Sequence, residues 1–250
     1  SHAENLLITA KNITLDKDQN VSIFKNDVVV KTKGNTLKGE FAKYDRNLGF
    51  LILKNNITIL DEKNNLMNAD YVEYYEKEEL LKTIGKTKVE TAEKYTINGE
   101  DLTLDNKNKV IKSEKKSILK DEDGNLINLE NFEYSINNSL FKSIGFIEIE
   151  DIRKNKYEFT QVFIDTKKKE ILGTDSKAYF NDDEFKINPK NNPRVFSNTI
   201  NLTKENSSFD KSVFTLCQFR ENDDCPPWTI QSKKMLHDNL KKTIYYNNAI

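Results

Sequence analysis

Apolar and polar residues alternate along most of the chain, as in Ile57-Thr58-Ile59 and Phe146-Ile147-Glu148-Ile149-Glu150, which is the two-residue period of half-buried strands. The alternation itself recurs. Anchored at Ala69, the equivalent positions are Ala10, Gly39, Gly99, Leu129 and Phe159, at steps of 29 or 30 residues. Two residues before the anchor stand Ile8, Leu37, Met67, Ile97, Ile127 and Tyr157, and three after it Ile13, Ala42, Val72, Leu102, Phe132 and Val162. Five after it come Leu15, Tyr44, Tyr74, Leu104, Tyr134 and Ile164, most followed directly by aspartate, where a first strand ends. A second strand carries Leu51, Leu81, Ile111, Phe141 and Ile171 twelve after the anchor, and Val30, Ile59, Val89, Leu119, Ile149 and Tyr179 twenty after it. Only the first repeat slips out of register, around Val21 and Ile23.

Fixed-period self-similarity of this length marks stacked units, none of which buries its apolar face alone. From Leu6 to Phe180 the pattern predicts six strand pairs joined by Asn-, Asp-, Lys- and Gly-rich turns such as Asp61-Glu62-Lys63-Asn64-Asn65. The Glu- and Lys-rich stretch Leu66 to Leu81 looks helical in isolation, but its repeat register makes it strand. Anchors at Ser197 and Ser232 extend the count to eight units, after a loop-like insertion over 181–193 that holds Pro189 and Pro193. The expected fold is all-β: one elongated domain over 4–250, only two layers deep.

Composition supports a thin structure. Hydrophobic residues make up 36% and charged residues 32%, too little apolar volume for a thick core. Net charge is −1 with the signs interleaved, so no basic stripe calls for nucleic acid. No apolar run approaches the ~20 residues of a membrane-spanning helix. Ser1-His2-Ala3 reads as a cloning remnant (1–3) on a mature chain whose targeting segment is gone.

Chemistry is sparse. The aspartates that follow the first strands could form an acid/base ladder, but ending strands and starting turns is the simpler account. His237-Asp238 lacks a second metal ligand, and His237 stands in an apolar column, which favours packing. No nucleophile motif or phosphate loop occurs, so neither an enzyme nor a cofactor or metal site is expected. Cys217 and Cys225, before Pro226-Pro227, suit a disulfide in an oxidising compartment, with buried free thiols as the alternative. The apolar columns are the main functional feature, either as closed core or as a trough for an apolar ligand.

The tail over 213–250 is distinctive: Val213-Phe214-Thr215-Leu216-Cys217, Trp228, Lys233-Lys234-Met235-Leu236-His237-Asp238 and Lys241 to Ala249. It resembles the junction that closes the periplasmic domain of LptD-type lipopolysaccharide-assembly proteins before their outer-membrane barrel. The preceding repeats are similar to the OstA-type repeats shared with LptA and LptC. The resemblance implies a twisted, V-shaped β-jellyroll at the periplasmic face of a Gram-negative outer membrane. It implies lipid A acyl chains held by Val30, Leu51, Ile57, Ile59, Val72, Leu81, Val89, Ile111, Leu119, Phe132, Phe141 and Ile149. An LptA-type bridge protein would pair with the edge carrying Leu6, Ile8, Ile13 and Leu15. The other implied partners are the chain's own C-terminal barrel and an LptE-type lipoprotein plug. Cys217 matches the family cysteine that bonds to a barrel cysteine, whereas Cys225 departs from the simplest family pattern. A bridge protein of the LptA kind and a purely structural β-solenoid are the alternatives.

Overall fold

The computed structural model describes residues 6–181, 192–217 and 229–250. Among these there is no helix, and the structure is all-β with 21 strands. In chain order they are β1 Leu7–Thr9, β2 Asn12–Asp16, β3 Val21–Thr32, β4 Asn35–Asp45, β5 Phe50–Asp61, β6 Leu66–Tyr75 and β7 Leu80–Thr83. Then come β8 Lys86–Glu90, β9 Thr96–Glu100, β10 Thr103–Asp105, β11 Val110–Ser113, β12 Ser117–Lys120, β13 Leu126–Leu129 and β14 Phe132–Ser135. The remainder are β15 Leu140–Glu150, β16 Lys156–Asp165, β17 Glu170–Tyr179, β18 Asn192–Leu202, β19 Asn206–Cys217, β20 Ile230–Asp238 and β21 Thr243–Ala249. Neighbouring strands pair antiparallel.

The chain divides into two compact units. Unit 1 holds Ser1–Leu119 with Glu133–Asn138, and unit 2 holds Lys120–Phe132 with Ser139–Ile250. The stretch that looks helical, Leu66 to Leu81, forms β6, a turn and the start of β7.

The backbone repeats as faithfully as the apolar columns. Positive φ recurs ten residues after the anchor at Asn20, Gly49, Glu79, Lys109, Ser139, Lys169 and Lys242. It recurs five before the anchor at Gly34, Asn64, Lys94, Gly124 and Lys154, and sixteen after it at Asn26, Asn55, Gly85, Gly145, Asp175 and Asn248. The first two series are hairpin turns. The third lies within strands and bends them, except at Gly85, which falls between β7 and β8; register shifts mark the bends between Lys25 and Val28, Lys54 and Ile57, and Ile144 and Ile147. Each bend divides a repeat into two walls.

Two features of the sequence register change. The first repeat does not slip: Asn20 and Asn26 keep the turn and bend in phase, and Ser22, 7% exposed, fills the buried column, so Val21 and Ile23 simply face outward. Conversely, Tyr179 leaves the column assigned to it and Ala178, fully buried, takes the place. The cause is local. The β16–β17 ladder has two residues on each strand between Gln161↔Thr174 and Glu158↔Lys177, so it lacks the extra bulge residue that β15 carries against β16.

Hydroxyls collect at the bends, where buried carbonyls left at breaks or kinks of the ladder need donors. Ser113 Oγ donates to Glu100 O at 2.8 Å, Ser143 Oγ to Asn131 O at 2.6 Å and Ser176 Oγ to Ser197 O at 3.2 Å. All three side chains are buried.

Turns are clamped by carboxylates. Asp45 accepts the Leu48 N–H, Asp105 that of Asn108, and Asp165 those of Lys167 and Lys168. In the other set of turns the spacing Asp-x-x-x-Asn repeats at 61–65, 121–125 and 151–155. Each Asp Oδ1 accepts backbone N–H groups, and each Asn Nδ2 donates to the Asp Oδ2 at 2.6 to 2.8 Å. The Asn Oδ1 then accepts an N–H from the next turn: Ala92 on Asn65, Ile152 on Asn125 and Asn181 on Asn155. These aspartates are fully engaged in holding turns together.

Pro193, expected at a turn or edge, lies near the start of β18, where its backbone pairs with Leu216 alone. The rest of the expected insertion, 182–191, lies outside the described residues, as do the cloning remnant 1–3, Leu6's predecessors and Trp228.

Candidate functional site

Every residue assigned to the apolar interior is buried. Val30, Val89 and Leu119 are fully buried; Leu51, Ile57, Ile59, Val72, Leu81, Ile111 and Phe141 are 1% exposed; Ile149 is 2% and Phe132 3% exposed. In unit 1 these side chains fall into two rows. One wall carries Tyr44, Leu51, Tyr74, Leu81, Leu104 and Ile111 as successive cross-strand partners. The other carries Val30, Leu37, Ile59, Met67, Val89 and Ile97. With no helix among the described residues of the unit, such complete burial requires the sheet to fold back on itself at the bends, so that the walls face each other.

In unit 2, Phe141 is paired with Ile164 and Ile149 with Ile127 and Tyr157. Phe132 meets Phe141 edge-on, with ring centroids 6.0 Å apart. A second aromatic group centres on Phe180, which meets Tyr157 and Phe209 edge-on at 6.5 and 6.0 Å and lies tilted against His237 at 4.5 Å. His237, 3% exposed, is thus a packing residue, while Asp238 accepts the Leu240 and Lys241 N–H groups. Burial raises the Tyr157 phenol well above its ordinary pKa, and burial also pushes the Tyr246 phenol to about 12.

The walls also meet at their turns, away from the bends. In unit 1 Asn35 Nδ2 donates to Asn106 Oδ1 at 3.1 Å, and Asn106 Nδ2 donates to Lys33 O. Both asparagines are buried, and they are 71 residues apart in sequence. In unit 2 the equivalent turns are joined by Lys204 and Asp123 at 3.3 Å, by Lys169 and Glu122 at 3.9 Å, and by the Tyr157 and Ser207 hydroxyls at 3.4 Å. Polar side chains therefore latch the mouth of each apolar interior. No pattern of spacing along the chain announces these pairs.

The N-terminal edge behaves differently from the columns it belongs to. Ile13 and Leu15 pair directly with Phe24 and Ser22, and therefore point to the interior side of the sheet, yet they are 53% and 60% exposed. Leu6 and Ile8 are half-buried. Both β1 and β2 pair with β3, and among the described residues no strand pairs with their other side. Interior-facing apolar surface and unpaired backbone groups thus coincide at this edge. The Cys217 side chain and the whole of Cys225 lie outside the described residues, so the disulfide expectation stands apart from this geometry.

No protein-family model matches the chain, and no curated protein matches it. Among solved structures it is similar to LptH of Pseudomonas aeruginosa, described as the LptA-homologous periplasmic component of a conserved lipopolysaccharide transport device. That similarity is 13% in identity over 68% of this chain and 82% of that one, with a TM-score of 0.22. A superposition that loose transfers neither a fold nor a role.

Proposed function

We propose that the chain carries lipopolysaccharide, with its acyl chains between the two walls of the folded sheet, as a periplasmic domain of the LptD-type assembly family. The observation that carries this reading is the edge at β2, where the apolar interior continues into exposed Ile13 and Leu15 beside unpaired backbone groups. Such an end suits a partner whose own strand would extend both the ladder and the apolar surface, as a bridge protein of the LptA type would. Burial of acyl chains is worth about 0.8 kcal/mol per CH₂ and has no directional requirement, so a lipid could slide between repeats of the same composition.

In the closed state the columns are packed, so lipid must part the walls and break the latches. That closure favours the second reading, a purely structural sheet. A photo-crosslinking residue placed at Phe141, then separately at Lys142, separates the two. Phe141 is buried and its neighbour Lys142 exposed on the opposite face. Lipopolysaccharide adducts at Phe141 alone support the carrier. No adduct at either position, with folded protein and lipid present, leaves a scaffold. A crosslinker at Ile13 that captures a bridge protein, and loses it when that protein's terminal strand is deleted, tests the edge.

A further inference from the structure

The outward side of one wall in unit 1 is unlike the outward side of the other. Across the first wall Lys25, Phe41, Lys54 and Tyr71 are successive cross-strand partners. The adjacent row runs Lys43, Ile52, Glu73, Lys82, Thr103 and Lys112. Phe50 and Tyr75 follow beside it, ring centroids 5.1 Å apart. The second wall presents Thr9, Val29, Lys38, Thr58, Asn68, Lys88 and Asn98 outward, a row without a ring. Aromatic content is therefore specific to one face.

The rings there are half-buried and the ammonium groups lie over them. Lys54 Nζ is 5.7 Å from the Phe41 ring centre and 5.8 Å from that of Tyr71, and Lys82 Nζ is 5.1 Å from that of Tyr75. In the two lysine rows five ammonium groups face a single carboxylate, Glu73, which already accepts the Tyr75 hydroxyl at 2.6 Å. With antiparallel strands roughly 4.8 Å apart, Phe41 and Tyr71 stand about 10 Å from each other with Lys54 between them. Flat apolar rings alternating with cations match a chain of sugar rings that carries negative charge: C–H faces stack on the aromatics while anionic groups displace the lysines from them.

We propose that this face binds a phosphorylated saccharide. The proposal rests on the carrier reading, because a glycolipid whose acyl chains enter the sheet keeps its charged sugars outside.

The test uses a de-acylated, phosphorylated oligosaccharide prepared from lipopolysaccharide, which has no chains to enter the interior. Titrated into the full chain, it is expected to shift the amide resonances of β4 to β7, with affinity falling as salt rises. Exposed Lys54→Gln together with Lys82→Gln should weaken binding at least tenfold while leaving the fold and the Phe141 lipid adduct intact. Phosphatase-treated oligosaccharide should bind no more tightly than that variant. No shift on this face, equal binding after phosphate removal, or equal binding by a thymidine oligonucleotide would each overturn the proposal. Failure of the carrier reading shows separately, as loss of the Phe141 adduct with intact lipid.

Discussion

The two units close the same kind of interior with different chemistry. Unit 1 latches its mouth with buried Asn35 and Asn106, 4% and 7% exposed, where Lys109 Nζ also donates to Asn106 Oδ1 at 2.9 Å, whereas unit 2 adds to its buried Tyr157–Ser207 contact the ion pair of Lys204 and Asp123, whose side chains are 77% and 43% exposed. A buried amide pair is indifferent to salt and costly to leave half-made, while an exposed ion pair is weak and screened. The units also exchange sizes within the core. In unit 1 small Gly39 stands at the anchor and large Leu53 fourteen residues later; in unit 2 large Phe159 stands at the anchor and Gly173 fourteen residues later. A Cβ at Gly39 would meet the Leu53 side chain at 3.1 Å, and one at Gly173 would lie 2.1 Å from the Phe159 ring. One volume is filled from opposite strands, so repeats can diverge in sequence without changing their backbone.

The size exchange gives the largest expected effect. Gly173→Ala should destabilise unit 2 by about 3 kcal/mol, since the 2%-exposed Phe159 ring has nowhere to go. Gly39→Ala should cost less, about 1 kcal/mol, because its Cβ would meet Leu53 at 3.1 Å and ask only a few tenths of an ångström of movement. Denaturant unfolding of each variant, followed by Phe159→Leu in the Gly173→Ala background, completes the cycle. If Phe159→Leu fails to recover most of the loss, the two columns are not complementary.

Next in size is the neutral latch. Asn106→Leu removes the acceptor shared by Asn35 and Lys109 and the donor to Lys33 O in a buried setting, with an expected loss of about 2 kcal/mol confined to unit 1. Hydrogen exchange should quicken at β4 and β10 and stay unchanged at β18 and β19. An apolar fluorescent dye should also bind the variant more than the parent if this latch guards the interior. Unaltered dye binding with the same stability loss would make the pair a simple turn contact.

The apolar columns were legible in the sequence because packing against neighbouring repeats demands the same side-chain character every thirty residues. Tyr74, Leu104, Tyr134 and Ile164 all prove buried for that reason, and Leu15, in the same column, is exposed because among the described residues no strand covers the other side of β2. The backbone period was partly visible. Asn26, Asn55, Gly85, Gly145 and Asp175 are residue types that tolerate positive φ, but Glu79, Lys109, Ser139 and Lys169 adopt it with no compositional sign. The single-residue shift at Ala178 was hidden, because a missing bulge residue inside a strand leaves the alternation intact on either side. The latches were hidden too. They join turns several repeats apart, where pairing depends on how the sheet folds back and not on any local pattern.

Alkaline titration sharpens the contrast between the units. Burial raises the Tyr157 phenol in the folded state, so the protonated form is favoured on folding and stability is full below the unfolded value near 10. It is lost as pH climbs past that value towards the folded one, and Tyr246, at about 12, contributes in the same direction. Unit 1 also has raised phenols, at Tyr44 through burial and its 2.6 Å bond to Glu76, at Tyr71 through burial and at Tyr75 through its bond to Glu73, but all three are only partly buried, which weakens their effect on stability. Unit 2 should therefore loosen first between pH 10 and 12, as seen by exchange or near-UV dichroism. Tyr157→Phe, which keeps the ring against Phe180, should remove much of that loss without changing stability near neutrality by more than about 1 kcal/mol.

The smallest expected effect belongs to the charged latch, and salt rather than substitution reveals it best. Lys204→Gln should cost under about 1 kcal/mol, since both partners are solvated and their attraction is offset by the ordering of two long side chains. The loss should vanish in about 1 M salt, where the screening length falls to about 3 Å, whereas the Asn106→Leu loss should persist at the same salt. If lipid enters unit 2 by parting Lys204 from Asp123, the Phe141 adduct should rise with salt and with Lys204→Gln alike. An adduct yield unchanged by either would mean that the turns of unit 2 part without that bond setting the cost, and would turn attention to the buried Tyr157–Ser207 contact between β16 and β19.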